Sequence, residues 1–63
     1  MAKKFLTDNE VAERYGVSRR TIHRMVQTGR LPAALPISEG VSRWDIADLE
    51  AYEAKLRAEQ VNV

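Results

Sequence analysis

Arg20, His23, Arg24 and Gln27 recur at spacings of three and four residues. At about 100° per residue they fall on one helical arc, with Arg19 on its flank and no acid among them. Guanidinium forks suit guanine edges and phosphates, and a glutamine amide suits adenine. The chemistry these side chains offer is recognition of an anionic, hydrogen-bonding surface. A face of this kind can also be merely solvated, so the surrounding residues decide between the two readings. Catalytic and metal chemistry has little material here. The chain has no cysteine and one histidine, which argues against a thiolate or paired-histidine metal site. No glycine-rich phosphate cradle is present, and Asp45 and Asp48 stand where helix caps belong. Ser18, His23 and Asp45 can be written as a triad, but Ser18 and His23 each have a simpler role in a recognition helix. We expect no enzymatic activity, no cofactor, no metal and no small-molecule ligand.

The polar arc needs a helix, and both of its ends are marked. Ser18 is an N-cap, since its hydroxyl can accept an orphan N–H of the first turn. Gly29 is a stop, since it takes the left-handed conformation at little cost. Between them Ile22, Met25 and Val26 make the opposite, apolar arc. Upstream, Thr7-Asp8-Asn9-Glu10 has the form of a capping box and predicts a helix over 8–15, with Leu6, Val11, Ala12 and Tyr15 on its buried side. Asp8 and Glu10 suit its N-terminus through the helix dipole. Gly16-Val17 breaks that helix, with Val17 expected between the two helices. Two consecutive capped helices around a tight glycine turn make a helix-turn-helix over 8–28, whose second helix enters the major groove.

Downstream, Gly29-Arg30-Leu31-Pro32 ends the second helix, because Pro32 biases Leu31 away from helical geometry. Two short extended runs then flank Ser38-Glu39-Gly40, which predicts a two-stranded hairpin, a wing, over 33–44. Pro36 suits an edge strand, and Val41 and Trp44 are the expected anchors. Trp44 is read as core rather than as a platform for a base. Two readings stand for Arg43: a phosphate contact, or an ion pair with Glu39 or Asp45. Asp45 can cap a closing helix over 45–59 whose stripe is Ile46, Leu49, Tyr52 and Leu56, with Glu53 and Arg57 paired at i,i+4. Ala47, Ala51, Ala54 and Ala58 either simply favour helix or leave a smooth face for a second copy. Phe5 and Leu6 are expected core anchors. Lys3 and Lys4 are read as a solvated end or a phosphate contact, and residues 60–63 as fraying. The expected fold class is α+β, mostly α: residues 1–63 as a single winged helix-turn-helix domain with three helices and a two-stranded hairpin wing.

Net charge is only +1, but its distribution is uneven. Residues 1–30 carry seven Lys or Arg against three Asp or Glu, and residues 31–63 carry three against six. That asymmetry fits a domain turning one face to a polyanion, and equally two halves that pair with each other. No run is long and apolar enough to span a membrane, and Met1-Ala2-Lys3-Lys4 does not open a signal peptide. The expected location is therefore inside the cell, in the cytoplasm, with no membrane partner.

Several pieces in order resemble the AlpA/excisionase family of small winged helix-turn-helix proteins, related to the DNA-binding domain of MerR-type regulators. They are Phe5-Leu6-Thr7, Glu10-Val11-Ala12, Gly16-Val17-Ser18, Thr21-Ile22-His23-Arg24, Gly29-Arg30-Leu31-Pro32, Arg43-Trp44 and Asp48-Leu49-Glu50-Ala51-Tyr52. The resemblance implies double-stranded DNA as partner, with Ser18, Arg19, Arg20, Thr21, His23 and Arg24 at the groove and the wing on adjacent backbone. Gln27, Arg30, Ser42 and Arg43 complete the expected DNA-binding set. Two positions depart from the family pattern. His23 stands where a tyrosine is common, and Glu39 occupies a wing tip where a basic residue is frequent. The family implies an excisionase, or recombination directionality factor, of a phage or mobile element. Such a protein binds repeated sites cooperatively, self-associates along DNA and bends it to direct an integrase. An AlpA-like promoter regulator is the alternative, and a protein-interaction module that never touches DNA is a further one.

Overall fold

A computed structural model describes residues 4–61. Lys3 and the terminal Asn62 and Val63, for which a solvated or frayed end is expected, lie outside the described residues, whereas Gln60 and Val61, also expected to fray, are helical. Helix α1 (Asp8–Tyr15) opens on a complete capping box. The Thr7 hydroxyl accepts the Glu10 N–H at 3.2 Å, and the Glu10 carboxylate accepts the Thr7 N–H at 2.9 Å. The helix closes at Gly16, whose φ of 67° is left-handed. The Gly16 and Val17 N–H groups turn back to the Glu13 and Ala12 carbonyls at 3.2 and 3.0 Å. Ser18 then caps α2 (Arg19–Gln27), accepting the Thr21 N–H at 3.2 Å. At the far end Gly29 and Arg30 donate to Val26 and Met25 at 3.1 and 2.9 Å, which repeats the same closure. The chain is thereby turned inward, and Leu31 is buried.

The strands are β1 (Phe5–Leu6), β2 (Leu35–Ser38) and β3 (Val41–Asp45), in the order β1-β3-β2, all antiparallel. The expected hairpin is present, but it belongs to a three-stranded sheet, because Phe5 pairs with Asp45 and Leu6 with Trp44. Two residues before a cap carry no visible alternation, and their partners lie about forty positions away, so β1 leaves no local signal. The register also decides which β1 side chain is inside. Leu6 shares the face of Trp44 and packs on the core, while Phe5 lies on the other face and is only half-buried. Phe5 is therefore not the core anchor expected of it. Edge strand β2 holds Pro36, where a missing N–H costs no central ladder bond.

Helix α3 (Ile46–Val61) follows β3 directly. The Asp45 carboxylate accepts the Ala47 N–H at 2.8 Å, and the Lys4 carbonyl accepts the Ile46 N–H at 2.9 Å. Val11, Ile22 and Leu49 are fully buried and meet Ala12, Leu31 and Trp44 in one cluster. Each large side chain there contributes about 1.5–3 kcal/mol by leaving water. Met25, Val26, Tyr15 and Tyr52 pack on its edge. Val41 and Ile46 are half-buried and lie outside this cluster, so neither takes the core place expected of it, and two further expectations fail. Val17 is 37% exposed, because backbone bonds alone close its turn and Val11 and Ile22 already fill the space inside. Leu56 is 44% exposed, because α3 runs on past Tyr52 beyond the elements that cover its first turns. Among the described residues no helix is long and apolar enough to cross a membrane.

Glu53 makes its direct bonds to another helix, while Arg57, the expected i,i+4 partner, acts on it only through its nearby charge. Its carboxylate receives Arg14 Nε at 2.7 Å and Nη2 at 3.0 Å, and the Tyr15 hydroxyl at 2.6 Å. The Arg14 bonds hold the Glu53 carboxyl below its usual range, against a smaller upward push from burial. A carboxylate lowered in this way stabilises the fold above its unfolded pKa, and that gain is lost as pH falls through the folded value. Glu53→Gln should lower stability near neutral pH by about 1 kcal/mol. In urea denaturation the gap from wild type should shrink as pH drops below the ordinary glutamate range. A gap independent of pH would assign the loss to packing.

Candidate nucleic-acid interface

The outer face of α2 is built by its own caps. Ser18 fixes the first turn, and its Oγ also lies 3.0 Å from Thr21 Oγ1, so these two hydroxyls are tied to the start of the helix. Burial of Ile22 then sets the helix rotation. It leaves Arg19, Arg20, His23, Arg24 and Gln27 exposed and Thr21 half-buried. Among the expected side chains on this helix none is acidic, and its first turn carries no acid.

Beside this face lies a cleft of about 470 Å³ between α2 and the hairpin. His23, Val26 and Gln27 line it from the helix, and Ala34, Gly40, Ser42, Arg43 and Trp44 from the other side. It thus brings together four of the expected residues, His23, Gln27, Ser42 and Arg43. Arg20 and Arg24 stand outside it on the same exposed helix face. Arg30 is placed elsewhere, in a groove with Asp48, Ala51, Tyr52 and Lys55 of α3. Glu39 is exposed at the wing tip.

The wall of the cleft is anchored where Trp44 stands. Its side chain is buried, as expected of a core residue, and its Nε1 donates to the Pro32 carbonyl at 2.8 Å. The His23 ring lies against it, centroids 6.3 Å apart and planes tilted by 60°. Arg43 takes neither ion-pair partner open to it. It donates from Nη1 to the Ser42 carbonyl at 2.8 Å, which holds the guanidinium along its own strand.

Asp8 is the residue of this region that sequence reasoning missed. It fits a helix N-terminus, and that role hides the other. From α1 it enters the cleft lining, where its Oδ2 lies 3.2 Å from His23 Nε2 and 3.4 Å from Arg19 Nε. Partial burial pushes its carboxyl up, but the bonds from His23 and the Asn9 amide and the nearby positive charge bring it below its usual value. No local spacing signals a contact between residues 8 and 23; only the helix-turn-helix geometry brings them together. Among the described residues no group of His, Cys, Asp and Glu could hold a metal ion.

The arrangement offers exposed guanidinium and amide donors on one helix and a half-apolar cleft behind them. It can bind an extended anionic, hydrogen-bonding partner. A family model described as helix-turn-helix domain matches residues 5–57. No curated protein and no solved structure matches the chain. The match covers both capped helices, the wing and most of α3, so the chain belongs to the helix-turn-helix domain family, a DNA-binding fold.

Proposed function

We propose that the protein is a sequence-specific excisionase of a phage or other mobile element. It binds repeated sites on double-stranded DNA cooperatively and bends the duplex, so that a site-specific integrase is directed towards excision. It does this in the cytoplasm of a bacterial host and makes or breaks no covalent bond. The observation that carries DNA recognition is the acid-free, exposed face of α2 beside the cleft of the hairpin. With α2 in the major groove, Arg20 and Arg24 meet base edges or flanking phosphates, and Gln27 and His23 follow along the same face. The phosphodiester ridge at the edge of that groove then lies in the cleft, where Ser42 and Arg43 meet it from the wing. Ser18, Arg19 and Thr21 approach the backbone at the helix N-terminus, where the helix dipole favours an anion. Arg30, in its groove against α3, stands apart from this surface and would meet only a neighbouring stretch of backbone.

The excisionase assignment rests on the order of motifs shared with the AlpA/excisionase group. A single domain this small reads few base pairs, which favours several copies bound side by side. Contact energy from each copy then offsets the cost of deforming the duplex.

A footprint on the DNA flanking the gene tests this reading. Closely spaced direct repeats whose protection spreads with protein concentration are expected. Protection confined to one promoter site would make the protein an AlpA-like regulator instead, and no protection at low salt would sink DNA binding altogether. On the protected site, Arg20→Ala or Arg24→Ala should each cost about 1–3 kcal/mol of specific binding where the guanidinium reads a base. Equal losses on specific and random duplexes in a binding assay would reassign that arginine to phosphate.

A further inference from the structure

An acid inside a surface that binds a polyanion needs a reason, because it repels every phosphate that approaches. Asp8 lines the cleft, and its side chain is 30% exposed. At the start of α1 Thr7 and Glu10 complete the capping box, and Asp8 adds only its Oδ1, which accepts the Asn9 N–H at 2.8 Å. Its Oδ2 instead reaches two side chains of α2, His23 at 3.2 Å and Arg19 at 3.4 Å. Both keep more than half of their side-chain surface exposed, at 56% and 59%, so neither is used up by the contact. His23 is held from a second side by the Trp44 ring.

The geometry points to Asp8 as a positioning residue for DNA recognition: it orients the His23 imidazole and the Arg19 guanidinium over the groove that α2 enters. This rests on the reading of α2 as the DNA-facing helix. A carboxylate only accepts, so the nitrogen facing it, Nε2, carries a proton. That fixes the tautomer of neutral His23 and leaves Nδ1 for the nucleic acid. Nδ1 then accepts from an exocyclic amino group of adenine or cytosine when the ring is neutral, and donates to phosphate when it is charged. Arg19, tethered through Nε, keeps its terminal nitrogens for the backbone. Asp8 therefore gives up some affinity for all DNA and gains discrimination between sequences.

Two variants separate orientation from charge. Asp8→Asn loses the charge but retains an oxygen that can accept from Nε2, whereas Asp8→Ala loses both. His23 is the only histidine of the chain, so the ¹⁵N shifts of its imidazole report directly which nitrogen is protonated. In the free protein the neutral ring should hold the Nε2–H form in wild type and Asp8→Asn, and gain the Nδ1–H form in Asp8→Ala. On DNA the probes are the footprinted duplex and a random duplex of equal length. Both variants should bind the random duplex more tightly than wild type. The specific-to-random ratio should fall about tenfold in Asp8→Ala and be largely retained in Asp8→Asn. Equal gains on both duplexes in both variants, with an unchanged imidazole pattern, would overturn the positioning role and leave Asp8 as a repelling charge. A wild type that binds neither duplex at low salt would overturn the DNA reading, and this inference with it.

Discussion

Trp44 is the point on which the other elements converge. It lies in the central strand opposite Leu6, so burying it brings β1 onto the core. Its indole N–H is bonded to the Pro32 carbonyl, so the loop leaving α2 is fixed to the sheet. Its ring lies beside His23, so the same side chain sets the distance between α2 and the wing. An indole that is buried needs a partner for its one N–H, and a carbonyl just past the helix provides it. The cleft between helix and wing follows from that single placement.

The helix-turn-helix is closed at its termini as well as in its core. Gly16 and Gly29 take left-handed backbone, and each lets the chain bond back to the helix it leaves. Ser18 and Thr7 answer at the opposite ends with side-chain oxygens. The fold thus fixes the α1–α2 turn with backbone bonds, and the few fully buried side chains only have to fill the space left inside. That economy explains why Val17 can point outward in the middle of the motif.

The caps were legible because they are local: a hydroxyl or a glycine at a fixed offset from an apolar period has one physical use. The second helix, its exposed arginines and the edge position of Pro36 were legible for the same reason. What escaped depends on register or on distance along the chain. Strand β1 is two residues long and pairs with the far end of the wing, and only that register turns Phe5 away from the core and Leu6 towards it. Leu31 reads as a residue before proline, yet the closure at Gly29 carries it inside. Leu56 completes a helical stripe, but no neighbour extends far enough to cover it. Glu53 has Arg57 beside it on its own helix, but its direct bonds go to Arg14 and Tyr15 across the interface, where two donors converge on one carboxylate. Within the candidate site the cationic face was legible. The acid that meets it was not, because Asp8 already had a sufficient local role.

The central claim is that DNA meets the exposed face of α2 and the wing beside it. Amide chemical-shift mapping with a short mixed-sequence duplex at low salt tests this most directly. The account predicts the largest changes over residues 18–27 and 40–43, with Ala47, Ala51 and Ala54 on the outer side of α3 unmoved. Changes centred on those alanines, with α2 unmoved, would contradict it.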